Sequence, residues 1–136
     1  MLKPSGKMSF VDAADSTDGR WLGTHTETSV DRVKHFLREF TEVKIVKSNI
    51  IIDELPKAIK KIAVCNIDVD MYESVLSSLI KVASYISVGG IIICEDAGHT
   101  PQLAGARLAL SDFLQNQSSF VPIYMASGQY FLIRIS

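Results

Sequence analysis

Apolar positions recur along the chain in two alternating rhythms, short unbroken runs and longer stretches spaced three and four residues apart. The first kind predicts strands and the second helices. Residues 8–13 form an apolar run between Gly6 and the polar stretch 15–20, which reads as a strand. Ser29 offers a helix N-cap ahead of Val30, Val33, Leu37 and Phe40. Residues 43–46 read as a further strand, ending at the turn-prone pair Ser48-Asn49. Asp53 is placed to cap a short helix through Pro56 and Ile59. Ile62–Ile67 is a continuous apolar strand. Residues 72–86 carry Val75, Leu76, Leu79, Val82 and Ala83 on one helical face, and Gly89-Gly90 is expected to break that helix before a strand at 91–94. A helix over 104–114, through Leu108, Leu110 and Phe113, precedes two strands, 120–125 and 130–135, around Ser127-Gly128.

Strands without alternation, such as Ile62–Ile67 and 91–94, are what a parallel sheet covered on both faces requires. Helical connections between them predict a doubly wound α/β fold. The last two strands are joined by only a few residues and must be antiparallel. The expectation is one α/β domain over residues 1–136, its sheet mostly parallel with a C-terminal antiparallel hairpin.

Composition narrows the function classes. Of 136 residues, 47% are apolar and 21% charged, a balance that suits a soluble globular chain. The net charge of −1 and the lack of any dense Lys/Arg run argue against nucleic acid as a partner. No apolar run approaches the ~18–20 residues of a membrane span, so no membrane partner is expected and the location is read as cytoplasmic. Cys65 and Cys94 both fall in expected strands and read as packed thiols in a reducing compartment.

Open α/β sheets bind ligands beyond the carboxyl ends of their strands. Acids collect there: Asp15 after the first strand, Asp68 and Asp70 after Ile62–Ile67, Glu95 and Asp96 after 91–94. Neighbouring strand ends lie ~5 Å apart, close enough for Asp68, Glu95 and Asp96 to meet. Like charges at that spacing repel, and a hard divalent ion with oxygen ligands resolves the conflict. The competing reading is that such acids cap helix N-termini, as Asp70 is placed to do for the helix starting at Tyr72. His99 follows the acidic pair, where a loop histidine is more often solvated than bound to substrate or metal.

The strings themselves resemble a known family. Asp68-Val69-Asp70-Met71-Tyr72-Glu73-Ser74, followed by Val88-Gly89-Gly90-Ile91-Ile92-Ile93-Cys94-Glu95-Asp96, is similar to the macrocin O-methyltransferase (TylF-type) family, whose pattern is close to D-x-D-x-Y-x-S-T and P-G-G-x-x-x-x-D-D-Y-G. Ala14-Asp15-Ser16-Thr17-Asp18-Gly19, Asp53-Glu54-Leu55-Pro56 and Gly105-Ala106-Arg107 with Ala109 and Phe113 extend the likeness in the family's order, from about Met8 onward. The resemblance implies a Rossmann-like methyltransferase sheet and an enzyme that transfers methyl from S-adenosylmethionine to a sugar or small-molecule hydroxyl, with Mg²⁺. It implies Asp68, Glu95 and Asp96 as metal ligands, Asp70 as general base, and Asp15, Ser16 and Asn49 near the cofactor. Glu95 replaces an Asp of the pattern, Ala97 a Tyr, Asn49 a Gly and Thr17 an aromatic residue.

The largest departure is at the front. The family's first strand, the Gly-rich turn that cradles its cofactor and the helix after it have no counterpart here, and no G-x-G turn occurs in a suitable context. In the sheet order the resemblance implies, that strand lies centrally, and its loss leaves a gap of ~10 Å lined by unpaired backbone groups. Three outcomes follow: direct pairing of the flanking strands, donation of a strand by a second copy or another chain, or a fragment of a longer protein. The enzyme reading therefore comes with reduced or absent activity for the isolated chain. A non-catalytic binding or regulatory subunit, needing a partner to complete the cofactor site, stands beside it.

Overall fold

A computed structural model describes residues 28–99 and 104–136. These form α1 (Val30–Phe36), β1 (Ile62–Ile67), α2 (Tyr72–Ala83), β2 (Ile86–Cys94), α3 (Asp96–His99), α4 (Ala104–Gln115), β3 (Phe120–Tyr124) and β4 (Tyr130–Arg134). The strand expected at 8–13 lies outside the described residues, as do Asp15 and Ser16.

The sheet order is β1-β2-β4-β3. β1 and β2 are parallel, joined through α2, whereas β4 is antiparallel to both β2 and β3. Among the described residues the sheet is thus α/β but not mostly parallel. The cause is the hairpin: β4 returns into the slot beside β2, so its two pairings both run antiparallel.

α2 buries the face the spacing predicts, with Val75, Leu76, Leu79, Val82 and Ala83 all in the core. α4 packs beside it through Ala109, Leu110 and Phe113, while Leu108 stays exposed. Both helices lie over the same sheet face, where Cys65, Ile92 and Leu132 form one register row. Leu79, Ile92 and Leu132 are fully buried. The opposite row, Val64–Ile91–Ile133–Val121, is different: Val64 is 60% and Val121 42% exposed. The expected cover on both faces is therefore found on one face only among the described residues. No described helix is long and apolar enough to cross a membrane.

Three local expectations are corrected. The helix after Asp70 ends at Ala83, and Gly89-Gly90 lies inside a strand, because β2 begins at Ile86. Arg134 fixes that junction, its Nη1 donating to the carbonyls of Ala83 (3.1 Å) and Ile86 (2.6 Å). Between Ile62↔Ile86 and Val64↔Ile91, β1 advances by two residues and β2 by five. The surplus forms a bulge in which Gly89 takes φ +81°. Gly90 has no room for a Cβ, which would stand 2.8 Å from the Ser87 carbonyl oxygen and 2.9 Å from that of Ala63.

Residues 43–46 form no strand. Val43 and Val46 are exposed, and no described strand offers them a ladder partner. Asp53 caps no helix either. Its Oδ2 accepts from the Asn49 N–H (2.7 Å) and the Ser48 hydroxyl (3.1 Å), which uses the carboxylate to close a turn. Ser29 does cap α1, its hydroxyl accepting from the Arg32 N–H at 3.2 Å. That helix stops at Phe36, however, and buries none of its residues.

Candidate active site

The carboxyl ends of β1 and β2 lie side by side. Ile67 pairs with Cys94, and the Glu95 N–H continues the ladder by donating to the Ile67 carbonyl at 3.1 Å. Each strand then leads into acids, so the parallel pairing alone brings two acidic segments together. Carboxylate oxygens of Asp68, Asp70 and Asp96 all lie within 4.8 Å of one another. Asp68 is exposed, and Asp70 and Asp96 are half-buried.

The loop 68–71 is built to hold this arrangement. Asp70 adopts φ +58°, the left-handed region that Asp and Asn tolerate better than most residues. The Met71 N–H donates to the Val69 carbonyl at 2.7 Å, closing a tight turn centred on Asp70. The Ser74 hydroxyl donates to the carbonyls of Val69 (2.7 Å) and Met71 (2.9 Å), fastening both ends of that turn to the start of α2. Tyr72 donates its hydroxyl to Asp112 Oδ2 on α4 at 2.7 Å, which fixes α2 against its neighbour. Strained backbone over-determined by its surroundings is characteristic of functional loops.

Burial, with repulsion from Asp70 and then Asp68, pushes the Asp96 carboxyl from its ordinary 3.8 up to about 6. Its Oδ2 is buried without a hydrogen-bond partner. An all-oxygen donor set with an orphaned, buried carboxylate oxygen suits a hard divalent cation such as Mg²⁺. The residues fit that group.

Glu95 is placed differently. Its Oε2 accepts from Gln129 Nε2 at 2.5 Å, and Gln129 Oε1 accepts from the Ser127 hydroxyl at 2.7 Å. Both partners lie on the β3–β4 turn. Gly98 lets α3 dock on the same hairpin, since a Cβ there would stand 2.5 Å from a Tyr124 ring carbon and 2.6 Å from the Gly128 carbonyl oxygen. Asn49 sits in an exposed turn, its Oδ1 accepting from the Ile51 N–H at 3.0 Å. Lys81, in the last turn of α2, donates to the carbonyls of Ile50 and Asp53 (both 2.6 Å), whereas the carboxylates gather before its first turn. Asn49 is not among the groups brought together. Asp15, Ser16 and the His99 side chain lie outside the described residues.

Sequence reasoning missed Ser74, Gln129 and Ser127 as supporting residues. Ser74 carried a usable signal, its place in the Asp-x-Asp-x-Tyr-x-Ser string. Gln129 carried none, because only the insertion of β4 beside β2 brings the hairpin turn to Glu95. The cysteines behave as expected. Cys65 and Cys94 are free thiols, and burial, helped by Cys65, raises the Cys94 thiol to about 12, leaving it an inert core group.

The fold is that of an O-methyltransferase. Over 100% of its length the chain is similar to the solved structure of the O-methyltransferase NovP, with TM-score 0.69 and 18% identity, and it covers 56% of that chain. The chain thus spans little more than half the length of that relative. Residues 12–128 match the family model of the macrocin O-methyltransferases (TylF), and the chain belongs to that family. No curated protein matches the sequence.

Proposed function

We propose that this chain carries the acceptor half of an O-methyltransferase site, which binds a sugar or small-molecule hydroxyl beside Mg²⁺ and directs it at the methyl group of S-adenosylmethionine. The observation that carries the proposal is the meeting of Asp68, Asp70 and Asp96 at two parallel strand ends, with Asp96 Oδ2 buried and unpartnered. Asp68 and Asp96 are among the residues that would hold the cation. When bound, the cation supplies acidification and orientation of the acceptor hydroxyl. Asp70, held by its tight turn and by Ser74, takes the hydroxyl proton in this reading as the methyl group arrives. Holding these groups rigidly on strand ends turns the step into one of orientation, where most of the rate is to be gained.

The methyl-donor half depends on what covers the free edge of β1. β1 pairs with β2 on one edge and with no described strand on the other, and Val64 on it is 60% exposed. That observation favours a second reading, in which a second copy or another chain completes the donor pocket and this chain alone is a binding or regulatory subunit. Calorimetric titration with S-adenosylhomocysteine, with and without Mg²⁺, separates the two. Micromolar binding that needs Mg²⁺ supports the enzyme reading; no heat under either condition sinks it for the isolated chain. Light scattering adds the assembly, since a clean monomer removes strand donation by a second copy.

A further inference from the structure

By register, one position past the paired residues Ile67, Cys94 and Tyr130, Glu95 stands between Asp68 on the β1 side and Gln129 on the β4 side. The cluster of Asp68, Asp70 and Asp96 forms without it. We propose that Gln129 is a positioning residue that holds Glu95 out of the cation's donor set, so that the ligands are Asp68, Asp70 and Asp96.

The hydrogen-bond chain has only one polarity. A carboxylate accepts and cannot donate, so the Gln129 amide must present its NH₂ to Glu95. Its carbonyl oxygen then faces the Ser127 hydroxyl, which donates to it at 2.7 Å. Each link fixes the next, and the 2.5 Å bond to Glu95 is charge-assisted. The extra methylene of Glu95, compared with an Asp, is what lets its carboxylate reach the hairpin turn. On the other side, the left-handed backbone at Asp70 and the Ser74 clamp bring in the carboxylate that takes its place. Asp70 has two oxygens, one available to the cation and one left for the hydroxyl proton. Ligand choice in this chain is thereby set from the β3–β4 turn, outside the acidic motif itself.

This inference rests on the cation reading above, and the experiment keeps the two apart. Mn²⁺ serves as the probe, its free concentration followed by electron paramagnetic resonance against the full chain. Binding of Mn²⁺ by the wild-type chain is expected, and its absence overturns the cation reading together with this one. Given binding, Asp70→Asn is expected to weaken it by about tenfold or more, the loss typical even of outer supporting residues. Glu95→Gln is expected to leave affinity nearly unchanged. Gln129→Leu frees Glu95 and adds a carboxylate, so Mn²⁺ binds several-fold tighter, and that gain disappears in a Glu95→Gln background. A merely structural role for Gln129 gives the same change in both backgrounds, which overturns the proposal. So does a loss in Glu95→Gln equal to that in Asp70→Asn. Asn tolerates the left-handed backbone, and Asp70→Gly, which adopts it without strain, gives a second variant whose folding is checked by circular dichroism.

Discussion

Asp96 concentrates the electrostatic cost of the site in one carboxyl group. Its folded value of about 6 stands above the ordinary 3.8, so the folded chain holds that proton more tightly than the unfolded one. The stabilisation is complete below about 3.8 and is lost as pH rises through about 6, where the native state must carry the charge among its acidic neighbours. Without divalent ions, the urea midpoint is expected to fall between pH 4.5 and 7.5, and to fall less in Asp96→Asn. Adding Mg²⁺ at pH 7.5 is expected to restore it, since a ligand that binds only the folded state stabilises it. A midpoint that rises with pH to the same extent in both proteins contradicts this account. The acids were legible at this scale as strand-end residues, but the trio expected to meet was Asp68, Glu95 and Asp96, whereas Asp70 stands in the place of Glu95 and caps no helix. The side-chain direction of Glu95 was not legible, because it depends on a neighbour supplied by strand order, which local pattern does not encode.

Elements with a pairing or packing partner follow their apolar pattern closely. α2, α4 and the two hairpin strands form within a residue or two of the expected bounds, apart from the early end of α2 at Ala83. Segments without partners do not. Residues 43–46 have the composition of a strand and no strand to pair with, and Asp53 spends its carboxylate on a turn instead of a helix. Glycine was also misread, since Gly89-Gly90 breaks no helix and instead shapes a bulge within β2. What holds the 48–53 turn to the fold is Lys81, whose ammonium donates to the carbonyls of Ile50, Ile51 and Asp53. Lys81→Met keeps the apolar stem and removes the three donors. Proteolysis and amide exchange over residues 48–59 are expected to rise, while global stability drops by about 1.5–3 kcal/mol, the range for hydrogen bonds to a charged group. Exchange that rises equally in β2 and β4 would show the segment to be part of the core instead. Gly90→Ala tests the bulge in the same way: backbone oxygens on both sides leave no room for a methyl group, and a loss of about 1–3 kcal/mol is expected in urea melts.

Stability across the whole molecule is divided unevenly, and the division bears on function. The core lies where α2 and α4 cover one face of β2 and β4, around Leu79, Ile92 and Leu132. α1, of seven residues, buries none of them, and Phe36 is 78% exposed. A helix that short is marginal without packing. Native-state amide exchange is therefore expected to show two classes. Amides of α2, β2 and β4 should exchange only through global unfolding, whereas those of α1 and the following turns open locally at little cost. Leu79→Ala discriminates between this arrangement and a single cooperative unit. Removing that fully buried side chain costs about 2–5 kcal/mol, and the slowest amides should accelerate by the corresponding factor. Those of α1 should not respond, because their opening never involved the core. The carboxylate loop belongs to the slow class through Ser74 and Tyr72, so the Met71 and Val75 amides, which donate to the carbonyls of Val69 and Met71, should follow β2. If they exchange with α1 instead, the acidic cluster is not preorganised, and the orientation on which the proposed methyl transfer relies has to come from a bound partner.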